Sequence, residues 1–178
     1  AQKRNSVTSH AKALGYTPVS IKAPIAYVKA QVNNASTANI TMPEGYTFLT
    51  TIQGVSYQFV NITERIIQPA NGIYVFGETS GIPVYEGTWT TSRFTVDSNN
   101  TDQKYIISND GVDISTLKVQ VQTSVGDSTT ATYTAATSLV DITATTQAYF
   151  IQETVDGEWE IYFGDGVVGK SLIDGNIV

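Results

Sequence analysis

The chain has 178 residues, room for one domain or two small ones, with 41% apolar and only 15% charged residues, against about 25% charged in a typical soluble domain. It has no cysteine and one histidine, which excludes a disulfide scaffold, a thiolate zinc site, a cysteine nucleophile and a multi-histidine metal centre. A net charge of −6 disfavours nucleic acid and anionic membrane as partners, and no apolar run is long enough for a membrane-spanning helix.

The charge is uneven. Lys3, Arg4, Lys12, Lys22 and Lys29 precede the first acid, Glu44, giving +5, and the remainder carries −11. Such polarity suits head-to-tail attraction between copies or docking on an acidic neighbour; chance with local screening is the alternative. The chain begins without Met and ends in an apolar run, so it reads as a piece of a longer protein. No charged-then-apolar leader is expected.

In chain order, Asn5 or Ser6 caps a predicted helix whose face is Val7, His10, Ala11 and Leu14, with Gly15 and Pro18 ending it. About ten residues are too few to hold a helix in water, so this face must dock. Beyond Pro18 the period becomes two, with Ala26, Val28, Ala30 and Val32 alternating against Tyr27, Lys29 and Gln31. Further strands are predicted at Tyr46–Gln53, Ser56–Thr63, Gly72–Glu78, Val84–Thr90, Phe94–Asp97, Lys104–Ser108, Leu117–Thr123, Thr130–Thr134, Ala148–Glu153 and Glu158–Phe163. Turn residues separate them, and the last two are expected to form a hairpin through a type I′ turn at Asp156-Gly157. Ser138–Gln147 reads as a long loop.

The predicted fold is mainly β: antiparallel sandwich-like sheets in two small units with one short N-terminal α-helix. Residues 1–19 are the helix and linker, 20–90 the first β unit, and 91–178 the second, ending in a Gly-rich hairpin.

Several motifs invite chemical readings. Gly164-Asp165-Gly166-Val167-Val168-Gly169-Lys170-Ser171 fits the phosphate-loop pattern G-x-x-x-x-G-K-S. A phosphate loop needs a helix after it, and Asp174-Gly175 breaks any helix begun at Ser171. Asp165 also puts a carboxylate where phosphate would sit, so a Gly-rich turn is expected instead. Asp97–Asp102 resembles the start of a calcium loop but has Asp102 and Ser108 where Gly and Glu are required. Glu158 and Glu160 lie about 7 Å apart on one strand face, a glycosidase-like spacing; a wet outer face with Trp159 and Ile161 inward is the favoured reading, since alternation explains every residue without chemistry. His10, the lone histidine, is expected to pack on its helix. Asn34, Asn39 and Asn61 each open a glycosylation triplet, whose meaning depends on a secretory route. No catalytic constellation is expected, and the chain reads as a building or binding module.

The segments Ala11–Pro18 (AKALGYTP), Met42–Phe48 (MPEGYTF), Ile107–Val119 (ISNDGVDISTLKV) and Tyr162–Lys170 (YFGDGVVGK), in that order, resemble the large baseplate wedge subunit of T4-like contractile-tailed phages, in the baseplate J-like group. The resemblance runs over nearly the whole chain and is most specific from Phe163 to Asn176. It implies a non-enzymatic structural protein, without cofactors, that joins wedges into a ring around the central hub. Its implied partners are other wedge proteins and copies of itself, with no nucleic acid, membrane or small-molecule substrate. Its implied place is the virion tail baseplate, assembled in the host cytoplasm. Phe163, Gly164, Asp165, Gly166 and Gly169 become a structural turn, the three glycines taking positive φ and Asp165 bonding nearby N–H groups. The expected protein contact is the face Val7, His10, Ala11 and Leu14 with Lys3, Arg4 and Lys12. A carbohydrate- or receptor-binding β domain is the alternative, with Trp89, Trp159 and the tyrosines as an open platform. A nucleotide- or carboxylate-based enzyme is the third.

Overall fold

The computed structural model describes residues 19–34 and 36–178. They fall into two compact units, Lys22–Thr91 and Ser92–Val178, the second including residues 19–21. The helix expected over Val7–Leu14 lies outside the described residues and gains no support from the structure. The helical element among the described residues is a 3-10 turn at Ile114–Thr116, started by the Asp113 side chain accepting from the Ser115 N–H.

In the Lys22–Thr91 unit, β1 (Ile25–Val28), β4 (Thr47–Ile52), β5 (Val55–Val60) and β8 (Ile82–Glu86) form an antiparallel sheet in the order β1-β8-β5-β4. Two antiparallel ribbons accompany it: β2 (Ala30–Asn33) with β7 (Ile73–Phe76), and β3 (Ile40–Met42) with β6 (Arg65–Ile67). The alternating run after Pro18 is therefore two strands broken at Lys29, each paired into a different sheet. Gln53-Gly54 and Asn71-Gly72 both take positive φ in two-residue connections between Ile52 and Val55 and between Ala70 and Ile73, the geometry of primed hairpin turns. Tyr74, Phe76, Ile82 and Val84 point inward at alternate positions, and Met42, Phe76, Ile82 and Val84 form the buried cluster. Asn61 is fully buried; its amide donates to the Pro43 and Thr63 carbonyls at 3.1 and 2.6 Å. Its glycosylation triplet thus opens on a buried side chain whose amide is already hydrogen-bonded.

In the Ser92–Val178 unit, β9 (Tyr105–Ile107), β10 (Val119–Gln122), β11 (Thr130–Ala135), β12 (Ala148–Glu153) and β13 (Trp159–Phe163) form one sheet in the order β10-β11-β12-β13-β9. The expected wholly antiparallel arrangement fails at one place: β11 and β12 run parallel, through Thr134↔Ala148 and Ala135↔Tyr149. Parallel neighbours need a long crossover, and the loop predicted at Ser138–Gln147 supplies it. A second correction concerns the β12–β13 turn, where Gly157 alone takes positive φ. The Gly157 N–H bonds the Thr154 carbonyl and the Thr154 N–H bonds the Glu158 carbonyl, so the connection is a three-residue loop closed by glycine, not type I′.

Phe94–Asp97, expected as a sheet strand, makes its main-chain pairing with the chain's last residues among the described residues. Thr95 and Gln122 both bridge to Ile177. The Phe94 and Val178 main chains exchange two bonds at 2.9 Å, and the Ile177 and Gln122 main chains do so at 2.8 and 2.9 Å. The final segment thus lies between Phe94–Asp97 and β10. The core beneath comprises Val96, Tyr105, Ile107, Val119, Val121, Tyr133, Tyr149, Trp159 and Ile161. Burial pushes the Tyr105, Tyr133 and Tyr149 hydroxyls above the ordinary tyrosine pKa, because an anion there would lose its hydration.

Candidate functional site: the loop after the last strand

The site singled out by the sequence follows β13. Phe163 ends the strand with its ring edge-on to Tyr105 and Tyr133, at centroid distances of 5.6 and 5.5 Å. Phe94 extends the row against Tyr105 at 5.6 Å. Such edge-to-face contacts are each worth roughly 0.5–1.5 kcal/mol beyond area burial, so the loop springs from a fixed point.

Gly166 and Gly169 take positive φ, at 88° and 85°. Gly164 does not, and its need for glycine is spatial: a Cβ there would collide with the Gly169 carbonyl and the Val168 oxygen. Asp165 Oδ1 accepts from the Val167 and Val168 N–H groups, both at 2.9 Å. These two bonds, Val168 first, hold its carboxyl below the usual carboxylate range. The Gly166 N–H closes the loop on the Gly169 carbonyl at 3.1 Å.

The β11–β12 crossover supports this loop from one side. The Gly169 N–H donates to the Thr143 carbonyl at 3.1 Å and the Lys170 N–H to the Thr146 carbonyl at 2.8 Å. Thr146 Oγ1 in turn accepts from the Thr143 N–H at 2.9 Å. The final segment leaves the loop extended rather than helical. Asn176 fixes it by accepting from the Ile173 N–H and donating to the Thr123 carbonyl, both at 2.9 Å. Asp174 Oδ1 accepts from the Ser98 N–H at 2.8 Å.

This geometry answers the phosphate-loop match. A phosphate loop offers free N–H groups and a helix N-terminus; here Asp165 occupies two of those N–H groups, two more serve the crossover carbonyls, and no helix follows Ser171.

Other candidates are placed as follows. Trp159 is buried at 4% exposure. Trp89 is half-buried, with Gly45 so close that a Cβ there would lie 3.4 Å from the indole. Glu160 points outward and accepts from the Gln152 amide at 2.9 Å, while Trp159 and Ile161 point in. Asp97 Oδ1 accepts from the Asn99 N–H and side-chain amide at 2.9 and 3.1 Å, turning the calcium-like stretch on itself. Val7, His10, Ala11, Leu14, Lys3, Arg4 and Lys12 lie outside the described residues.

Sequence reasoning missed Leu139 and Val140 in the crossover, exposed at 65% and 89%, and Val167 at the loop tip, exposed at 73%. Adjacent aliphatics in a Thr-rich polar stretch were the signal that marked them. It also missed the outer-face stack of Phe150 on Tyr162, at 5.1 Å and 18°.

Residues 92–178 match the family described as bacteriophage baseplate wedge protein gp6, third domain. No curated protein matches the chain. The matched stretch contains the five-stranded sheet, the Gly-Asp-Gly loop and the closing segment, and over it the chain is similar to that baseplate wedge family, which supports a structural role in a phage baseplate.

Proposed function

We propose that this chain joins baseplate wedges into a ring around the central hub, by protein contacts and without catalysis, during assembly in the host cytoplasm. Its partners are copies of itself and other wedge proteins. The observation that carries the reading is the distribution of charge. Residues 92–178 hold four cations and twelve acids, whereas the chain before Glu44 holds five cations and no acid. Opposite surfaces of that kind attract a neighbour and fix its orientation. The contacting segment is the one carrying Lys3, Arg4 and Lys12 together with Val7, His10, Ala11 and Leu14, set against an acidic neighbour. The Gly-Asp-Gly loop contributes rigidity, because its N–H groups are bonded internally.

The test is wedge assembly with the full-length protein carrying Lys3→Glu, Arg4→Glu and Lys12→Glu. Loss of assembly by the variant is expected, together with weaker assembly of the unmodified protein at high salt; undisturbed assembly by the variant contradicts the reading.

A further inference from the structure

Two loops of the Ser92–Val178 unit meet beside the end of β13 and carry exposed aliphatic side chains together. Leu139 and Val140 are exposed at 65% and 89% in the crossover, and Val167 and Val168 at 73% and 40% in the Gly-Asp-Gly loop. The loops are joined by the Gly169–Thr143 and Lys170–Thr146 main-chain bonds. Behind them, Ile142 lies within van der Waals reach of a Cβ placed at Gly169. The Ile142 N–H reaches the Leu139 carbonyl at 3.5 Å, so the crossover's aliphatics sit one turn from the contact. Four exposed large aliphatics on two loops joined by main-chain bonds are more than scattered exposure, the kind of surface that marks a protein contact. Asp141 and Asp165 flank it, with Lys170 as the cation of the two loops.

We infer that this patch is the docking site for residues 3–14 of a second copy of the chain. The inference rests on the ring-joining reading above and names the surface that reading leaves open. The occupant is chosen by complementarity. Residues 3–14 carry Lys3, Arg4 and Lys12, no acid, and the aliphatics Val7, Ala11 and Leu14. The unit bearing the patch carries four cations against twelve acids. Apolar side chains of the segment cover Leu139, Val140, Val167 and Val168, while its cations meet Asp141, Asp165 and the surrounding negative field. Because the two contacting surfaces differ, the contact is heterologous, and repetition gives a ring where the rotation closes and a filament where it does not.

Sedimentation velocity of the full chain tests this with two variants. One is acceptor-defective, Val140→Asp with Val167→Asp; the other is donor-defective, Lys3→Glu, Arg4→Glu and Lys12→Glu. The unmodified chain is expected to self-associate, less so at high salt. Each variant alone should associate about tenfold or more weakly. Mixed in equal amounts, the two should form a one-to-one dimer and nothing larger, since one intact donor meets one intact acceptor. A mixture that stays monomeric overturns the inference, as it would if the segment docked on its own chain. An acceptor variant that associates like the unmodified chain also overturns it. If that variant also leaves wedge assembly intact while the donor variant abolishes it, the docking site falls and the ring-joining reading stands. The near-ultraviolet signal of buried Trp159 reports folding, and Val140→Ser with Val167→Ser replaces the acceptor variant if the aspartates unfold it.

Discussion

The two compact units bury their side chains in different ways. The Ser92–Val178 unit gathers nine buried residues into one cluster, including Tyr105, Tyr133, Tyr149 and Trp159. The chain's last residues close it, pairing with both Phe94–Asp97 and β10. The Lys22–Thr91 unit gathers four, Met42, Phe76, Ile82 and Val84, and leaves Leu49, Ile52 and Val55 exposed on its β4–β5 hairpin. Aromatic residues bury more area per residue and add edge-to-face attraction. A nine-residue cluster with four aromatics, tied by a distant strand, is expected to resist opening more than a four-residue cluster with one, Phe76. The aromatic-rich unit is the one that matches the baseplate wedge family.

Truncating one core residue in each unit tests that difference most strongly. Trp159→Ala is expected to cost about 3–5 kcal/mol and Met42→Ala about 2 kcal/mol in urea denaturation; equal losses would erase the contrast. The loop comes next. Gly164→Ala forces a Cβ into the Gly169 carbonyl and should cost about 1–3 kcal/mol. Gly54→Ala meets no atom but keeps a φ of 82°, so only the left-handed penalty of about 1 kcal/mol applies.

Titration probes the Ser92–Val178 unit in both directions. The raised pKa values of Tyr105, Tyr133 and Tyr149 mean that the folded Ser92–Val178 unit holds those protons more tightly than the unfolded chain. Its stability is therefore retained below the ordinary value of 10.0 and falls as pH rises through the folded values. The near-ultraviolet signal of Trp159 should collapse in that alkaline range. Asp165 has the opposite sign. Its lowered pKa gives a contribution present above 3.8 and lost as pH falls through the folded value. The Val167 and Val168 amide resonances should move with a midpoint below 3.8; a midpoint at or above it would mean the two bonds do not hold. Ile52→Thr, at an exposed hairpin position, is the smallest effect, within about 0.5 kcal/mol by the same denaturation assay.

Much of the β architecture was legible because alternation records which face is buried. Trp159 and Ile161 against Glu160 and Tyr162 is the clearest case, and Ala148–Glu153 has the predicted bounds. Ile40–Met42 and Arg65–Ile67 were not legible, since three residues cannot show a period. The break at Lys29 was hidden because both strands continue one alternating pattern. The parallel β11–β12 pair and the Ile177 bridges join residues far apart in sequence, where local pattern carries no information. At the loop, Asp165 as an N–H acceptor follows from its chemistry and place between glycines. The requirement at Gly164 does not, because it arises from how closely the loop's ends approach.

The central claim is that the Gly164–Ser171 stretch is scaffolding within an assembly protein, its N–H groups already taken. Titrating the full chain with magnesium ATP while following the Val167 and Val168 amide resonances tests it most directly. Unmoved resonances at every nucleotide concentration are the predicted result, and a saturable shift of both would contradict the account.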